Sequence, residues 1–435
     1  MSYIEEWRQE FKGKRILIWG LGMEGKSSYR FIRSILPEQS IDLADQVVSS
    51  FIEETINTTF FLENDCPFES YDLILKAPGI VVKEEYKDLP ISGQAPLFLK
   101  HYRDRIIGVT GTKGKSTTTS LIYEVLNKKQ TTHLVGNIGK ACFDVIPEMK
   151  EDDLIAFEIS CHQLEFAKHS PHIAVYLNLY EEHLDHYGSF EKYGAAKDKI
   201  FQFQKEGDLL FIKDDIKERA NREDAYLIGK DVYVENHMAH FKEKEVSLEN
   251  IHLIGKHNEL NLAIVYAIAN YYGVSDEEYK EAIQSFLPLP HRLQKIGEKD
   301  GIVYVDDSIS TIGQSCINAL ESLKETGSVL IGGMDRGIDY SDLKHYLHTR
   351  NDLHIIFMYQ SGKRVYEEMK EENLLPEQVY LVEDLEEAVT LAKQCTGEGR
   401  ICLLSPAASS YDHFKNFEER GEVFKQLVFG YVESN

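Results

Sequence analysis

Lys115 and Ser116 close the run Gly108-Val109-Thr110-Gly111-Thr112-Lys113-Gly114-Lys115-Ser116-Thr117-Thr118. A lysine and a hydroxyl behind glycines suit one chemistry. Backbone N–H groups cradle a phosphate, the ammonium reaches the β- and γ-phosphates, and the hydroxyl holds Mg²⁺. The spacing departs from the full G-x-x-x-x-G-K-[ST], because Val109 stands five residues before Gly114. Gly111, Thr112, Lys113, Gly114, Lys115, Ser116 and Thr117 are nonetheless expected to hold a nucleotide. Glu158 is a lone acid in the apolar run Asp153–Leu164, and a carboxylate there is costly to bury unless it is paired or on a metal. Mg²⁺ favours carboxylate and phosphate oxygens, so Glu158 is a candidate ligand; its rival reading is a strand-end acid facing solvent. Leu179-Tyr180-Glu181-Glu182-His183-Leu184-Asp185-His186-Tyr187 gathers three acids and two histidines behind another apolar run. His183 beside a second Mg²⁺ is the sharper reading, and a solvated acidic loop the plainer one. Zinc is disfavoured, since no cysteine or H-x-x-x-H partner stands near in the sequence.

These residues need elements to aim them. Arg105–Val109 reads as a buried strand, and Leu121, Ile122, Val125 and Leu126 recur at helical spacing over Thr117–Asn127. The phosphate loop therefore joins a strand to a helix N-terminus, where the helix dipole favours an anion. A second such turn precedes it. Lys14–Trp19 is a predicted strand, Gly20-Leu21-Gly22-Met23-Glu24-Gly25 is a G-x-G-x-x-G turn, and Tyr29, Ile32 and Leu36 continue as a helix. Asp45 ends the next strand where a ribose-binding acid would sit, and Gly79 follows the strand Tyr71–Lys76. A nucleotide diphosphate is expected on this turn; NAD is the rival ligand. Downstream, Gly255-Lys256-His257-Asn258 opens an Ala-rich helix with Asn258 and Asn261 on one face, suited to gripping adenine or to capping and core roles. Lys197 lies on the helix from Ser189, where chemistry alone does not single it out.

Length and composition bound the rest. The 435 residues suffice for about three domains at roughly 150 residues each. A net charge of −24, from 48 basic and 72 acidic residues, argues against nucleic-acid or anionic-membrane binding but not against a local anion pocket. Six scattered cysteines without a C-x-x-C pair suggest reduced thiols in a cytoplasmic enzyme. Met1–Arg15 lacks the apolar core of a signal peptide, and no apolar run nears about 18 residues, so no membrane span is expected. Alternating strand and helix patterns predict an α/β fold of three domains: Rossmann-like over 1–98, a central P-loop ATPase-type α/β domain over 99–290, and Rossmann-like over 291–435.

Six motifs appear in order: Gly111–Ser116, Gly136-Asn137-Ile138-Gly139, Glu158-Ile159-Ser160, Glu182-His183-Leu184-Asp185, Tyr193-Gly194-Ala195-Ala196-Lys197 and Gly255–Asn258. Together they resemble the Mur ligase superfamily of ATP-dependent amide-bond ligases. The resemblance implies ATP and Mg²⁺ as cofactors, with Ser116 at a first Mg²⁺ and Glu158, His183 and a carbamylated Lys197 at a second. It implies Asn137 near the phosphates and substrate, Asn258 and Asn261 at adenine, Arg292 on ATP and Asp307 on its ribose. Lys115, His183 and Lys197 are the expected catalytic groups. The stretch Leu404–Gly421, with Gly332-Gly333-Met334-Asp335-Arg336-Gly337, resembles the glutamate-adding branch more than its siblings. That implies UDP-N-acetylmuramoyl-L-alanine and glutamate as partners. Gly20, Gly22, Met23, Glu24, Gly25, Asp45, Gly79, Asn137, Ser160 and Gln163 would line the nucleotide-sugar substrate, and Thr311, Arg336, Ser410 and Phe417 the glutamate. A monomer is expected. The chain departs from the family pattern at Ile309 and Arg336, each in place of a lysine, at Ala408 in place of a cysteine, and at Cys161-His162 in place of Ser-Phe. These departures gather around the amino-acid site and leave open another Mur-type ligase of different amino-acid preference or, given Ile309, a silent nucleotide-sugar binder; the Gly20 loop leaves open an NAD-dependent oxidoreductase.

Overall fold

The computed structural model describes residues 3–48, Phe51 and 57–430. Its strands form three sheets, taken here in chain order. The first runs Phe60–Leu62, Ile41–Asp45, Ile16–Trp19, Leu73–Lys76, Ile91–Ser92 in space, all parallel. Ile16–Trp19 is buried at all four positions, as a central strand covered on both faces requires. Strand order reverses at Ile16–Trp19, so the turns after it and after Leu73–Lys76 open on one crevice. The helix Met23–Ile35 starts on Gly22 with no side-chain cap, leaving its first amides facing that crevice. Gly25 is required for packing: a Cβ there would stand 1.9 Å from the Gly20 carbonyl oxygen. Gly25→Ala is therefore expected to cost about 2–3 kcal/mol of stability. Calorimetry would show a melting point several degrees lower, and an unchanged one would refute the close approach.

The second sheet has nine strands. Thr132–Gly136, Leu154–Glu158, Ile106–Thr110, Ile173–Tyr176, Leu209–Lys213, Tyr226–Ile228 and Val232–Glu235 lie side by side in parallel. Met238–Phe241 and Lys244–Ser247 then add an antiparallel edge. The strand Ile106–Thr110 is central, and the helix Lys115–Leu126 leaves it through Gly114, whose φ of +86° is left-handed. The apolar run after Asp153 does not continue as strand to Leu164. It stops at Glu158, and Ser160 caps a short helix, Cys161–Leu164, by a reciprocal box with Gln163.

The third sheet runs Gln294–Lys299, Ile302–Asp306, Ile401–Leu404, Thr326–Ile331, His354–Phe357, Val379–Leu381, parallel except for the first pair. Three neighbouring strands therefore end side by side, and the loops beginning at Asp307, Gly332 and Ser405 share one rim. Arg420 ties that rim from below. It is fully buried and donates to the Ser308 hydroxyl and to the carbonyls of Ser308 and Ser409.

The joints between these units differ in kind. The helix Gln94–Tyr102 passes from the first sheet to the second, and one apolar core runs from Trp7 and Phe11 through Phe98 to Phe157 and Ile212. Trp7 packs on Phe143 with ring centroids 5.0 Å apart and donates to Tyr102. The contacts of the third unit with the second, described below, are mostly polar. Among the described residues no helix is long and apolar enough to cross a membrane.

Candidate active site

The phosphate loop sits at the carboxyl end of Ile106–Thr110, where the second sheet's strand order switches. Asn178 shapes it: its Oδ1 accepts from the amides of Thr112 and Lys113 at 3.1 and 2.9 Å, and its Nδ2 donates to the Lys113 carbonyl. The Thr112 hydroxyl donates to the Tyr180 carbonyl and meets the Tyr193 hydroxyl at 3.1 Å. Lys115 folds its ammonium onto the carbonyls of Gly111 and Thr112. Lys197, 1% exposed, donates to the Gly111 carbonyl at 2.8 Å and lies over the Tyr193 ring. Burial brings its ammonium down to about 8, so a neutral amine is accessible near physiological pH.

Residues from three distant segments meet over this loop. Lys113 donates to Thr311 at 2.7 Å and pairs with Glu182 at 3.2 Å, and Thr311 donates to Glu182 at 2.8 Å. Burial lowers the Lys113 ammonium against the pull of Glu182. Burial also pushes Glu182 up, but the charges of Lys113 and Lys115 and the Thr311 hydrogen bond outweigh it and hold the carboxyl well below its ordinary range. His183 adopts φ 58°, a left-handed conformation uncommon for a residue with a side chain. Its Nδ1 faces Arg336 at 3.3 Å. Burial lowers the imidazole to about 4, so it is neutral near pH 7. Arg292, its pKa lowered by burial, donates to the Ser116 hydroxyl at 2.9 Å. Glu158 is 3% exposed and, among the described residues, its Oε2 has no hydrogen-bond partner. A buried carboxylate oxygen without a donor, close enough to Arg292 to feel its charge, fits the donor set a divalent cation needs.

The remaining expected residues are placed as follows. Asn258 and Asn261 are buried on the helix Lys256–Tyr271 and bond to each other at 3.4 Å, with the Asn261 amide beside Gly114. Asp307 is buried and accepts from Ser405 at 2.8 Å. Asn137 is exposed at the end of Thr132–Gly136. Ser410 is buried in the rim loop that meets the Gly333–Asp335 segment through the Met334–Ser409 bridge, and the Phe417 ring lies 6.1 Å from His291. In the first unit Met23 is 75% exposed, and a Cβ on Gly22 or Gly79 would meet no atom within 4 Å beyond its chain neighbours. Gly20 approaches Ala77 and Ile80, which brings the two turns of the crevice together. Asp45 engages both oxygens with backbone amides, of Leu21 and Gln46 at 2.7 Å each. Gln163 is buried and donates to the half-buried Glu24 at 2.7 Å, at the joint between first and second units.

Burial pushes Asp307 up to about 7, against the hydrogen bonds from Ser405 and the Leu293 amide. An unfolded Asp titrates near 3.8, so the folded chain holds this proton more tightly and stability falls as pH rises from about 4 to 7. Asp307→Asn is expected to melt higher than the parent in the ligand-free state, by a gap that widens between about pH 5 and pH 8. A gap that is constant or absent across that range refutes the burial argument.

Several residues at this centre were not singled out from the sequence: Asn178, Glu182, Tyr193 and Arg420. Asn178 follows an apolar strand, the position from which loops reach ligands, and Glu182 stands in the acid- and histidine-rich stretch behind that strand, where His183 draws the sharper reading. The structure also brings Cys161 and His162 beside His183 and His186, which the sequence separates by some twenty residues.

Two family profiles match the chain: the Mur ligase middle domain over residues 109–269 and the Mur ligase glutamate ligase domain over residues 291–408. The chain belongs to the Mur ligase family. Among its relatives, two proteins named UDP-N-acetylmuramoylalanine–D-glutamate ligase, from Aquifex aeolicus and Oenococcus oeni, are each 30% identical to it. The matches cover 95% and 97% of this chain and 98% of each relative. MurF from Acinetobacter baumannii superposes with a TM-score of 0.63 at 16% identity, over 97% of this chain and 98% of that one. MurF from Thermotoga maritima, solved with ADP, gives 0.59 at 18%, over 96% of each chain. At those identities the likeness is one of fold.

Proposed function

We propose that this chain joins D-glutamate to UDP-N-acetylmuramoyl-L-alanine at the expense of ATP, a step of peptidoglycan precursor synthesis, acting as a cytoplasmic monomer. The observation that carries the reading is the meeting of Lys113, Glu182 and Thr311 over the phosphate loop. It sets the rim of the third unit against a nucleotide cradle whose strand neighbours carry Glu158 and His183. The domain division 1–98, 99–290 and 291–435 is retained, with nucleotide sugar, ATP and amino acid assigned to them in that order.

A carboxylate does not react with an amine at neutral pH. ATP phosphorylates the substrate carboxylate to an acyl phosphate, the glutamate amine attacks, and the tetrahedral intermediate collapses with loss of phosphate. The amides of Gly111–Thr117 cradle the phosphates, Lys115 spans them, and Arg292 meets the charge that develops on the transferred group. Asn258 and Asn261 hold the adenine and Asp307 the ribose, with Asn137 near the phosphates. Glu158, His183, Ser116 and carbamylated Lys197 are the residues that would hold Mg²⁺, which supplies neutralisation of phosphate charge when bound. Neutral His183 orients the incoming amine. The Arg336 guanidinium takes a glutamate carboxylate with Thr311, Ser410 and Phe417 around it. The first-unit crevice, with Gly20, Gly22, Met23, Glu24, Gly25, Asp45 and Gly79, takes the uridine nucleotide, and Ser160 and Gln163 face the sugar side.

ADP release is measured with UDP-N-acetylmuramoyl-L-alanine and each of D-glutamate, L-glutamate and other amino acids. The expected result is turnover with D-glutamate and little with the rest. No turnover with any amino acid overturns the ligase reading, and preference for another amino acid overturns only the substrate assignment.

A further inference from the structure

Cys161, His162 and His183 each bring one ligand atom within 4.8 Å of the others. Cys161 and His162 open the helix Cys161–Leu164, and His183 enters from the turn before Leu184–Tyr187. The Sγ of Cys161 lies 3.6 Å from Nδ1 of His162. A tetrahedral ion with Zn–S of about 2.3 Å and Zn–N of about 2.0–2.1 Å sets its sulfur and nitrogen ligands about 3.6 Å apart, so this edge is already formed. The His162 ring stands 4.7 Å from that of His183 and 4.4 Å from that of His186. Among the described residues the buried Nε2 of His186 has no hydrogen-bond partner, and it lies 3.7 Å from Glu165. A thiol and two imidazoles meeting edge to face form a donor set that hard Mg²⁺ does not favour and a soft ion does.

We propose that Cys161, His162 and His183 form a binding site for Zn²⁺ or a similar soft divalent ion, with water in the fourth position. Ligation replaces the thiol proton, which passes to water, and leaves a thiolate–metal bond. Small side-chain rotations close the distances to His183. An ion there withdraws His183 from the reaction centre, so micromolar zinc inhibits the enzyme in the presence of excess Mg²⁺. The inhibitory consequence rests on the ligase reading above; the binding does not.

Cobalt titration of the whole chain tests the site directly. The parent is expected to take up one Co²⁺ with a thiolate-to-cobalt charge-transfer band and visible bands of tetrahedral symmetry, both lost on adding Zn²⁺. Cys161→Ser is expected to abolish the charge-transfer band, and His162→Phe to weaken binding by about tenfold or more. No band in the parent, or an unchanged band in Cys161→Ser with its fold confirmed by circular dichroism, overturns the proposal. In the ADP-release assay the double variant Cys161→Ser/His162→Phe is expected to turn over and to resist zinc about tenfold better than the parent. Equal sensitivity overturns the inhibitory role. A parent inactive without zinc overturns the ligase reading and leaves the cobalt band to decide the metal site.

Discussion

A Lys115→Ala protein is expected to release ADP about 10²–10³-fold more slowly than the parent, with an unchanged fold. The ammonium is half-buried and bonds only to its own loop, to the carbonyls of Gly111 and Thr112 at 3.0 and 2.9 Å. Removing it disturbs no core. What it removes is a cation at the helix start, where Gly114 provides no side-chain cap and the first amides await an anion. Phosphoryl transfer spreads charge over the moving group, and a fixed cation stabilises that charge more than it stabilises bound ATP. The loss should therefore fall on kcat more than on KM. Lys115→Arg keeps the charge but presents a planar fork where a point charge is needed, so it should recover little. Full activity in Lys115→Ala would refute the role given to the loop.

The second large effect concerns Lys197. Its amine is buried, held over Tyr193 and lowered to about 8 by that burial, so near neutrality a useful fraction is uncharged. An uncharged amine adds CO₂: an N–C bond forms, a proton leaves to water, and a cation becomes an oxygen-donor anion. Enzyme depleted of CO₂ is expected to lose most of its activity, and bicarbonate to restore it. Enrichment with ¹³C-bicarbonate should give one carbamate resonance that Lys197→Ala lacks, and that variant should fall by about 10² or more in rate. Turnover indifferent to bicarbonate, with no carbamate signal, would refute carbamylation.

The phosphate loop and its flanks were legible because both signals are local. A buried parallel strand reads as an apolar run, and the glycines that turn it into a helix follow at once. The same holds for Gly20–Gly25 and for the strand Ile401–Leu404. The segment 209–247 was not read. Its strands are three to five residues long, and the turn at Asn236-His237, both at positive φ, was the main clue to its hairpin. The helix Cys161–Leu164 hid behind an apolar run, although Ser160 and Gln163 carry its capping box. The site clusters were illegible for a different reason. Lys113, Glu182 and Thr311 meet because three strand ends converge, and that convergence has no period in the sequence. Arg420 was invisible because a charged residue on a helix reads as solvated, and only the packing of the Ser308 and Ser409 loops buries it.

The unequal joints divide the molecule mechanically. Residues from Trp7 to Ile212 share one apolar core, so the first two units behave as a single stiff bed. The third unit is tied to that bed chiefly by ions and hydroxyls, at Lys113–Thr311, Glu182–Thr311, Arg292–Ser116 and Arg336–His183. Part-buried polar ties of this kind exchange with water more readily than the contacts of the shared apolar core do. The third unit is thus joined like an arm, and each ligand that bridges the gap between it and the bed is expected to favour a closed arrangement. Nucleotide and amino acid are then expected to reinforce each other's binding without touching, because each works across the same joint.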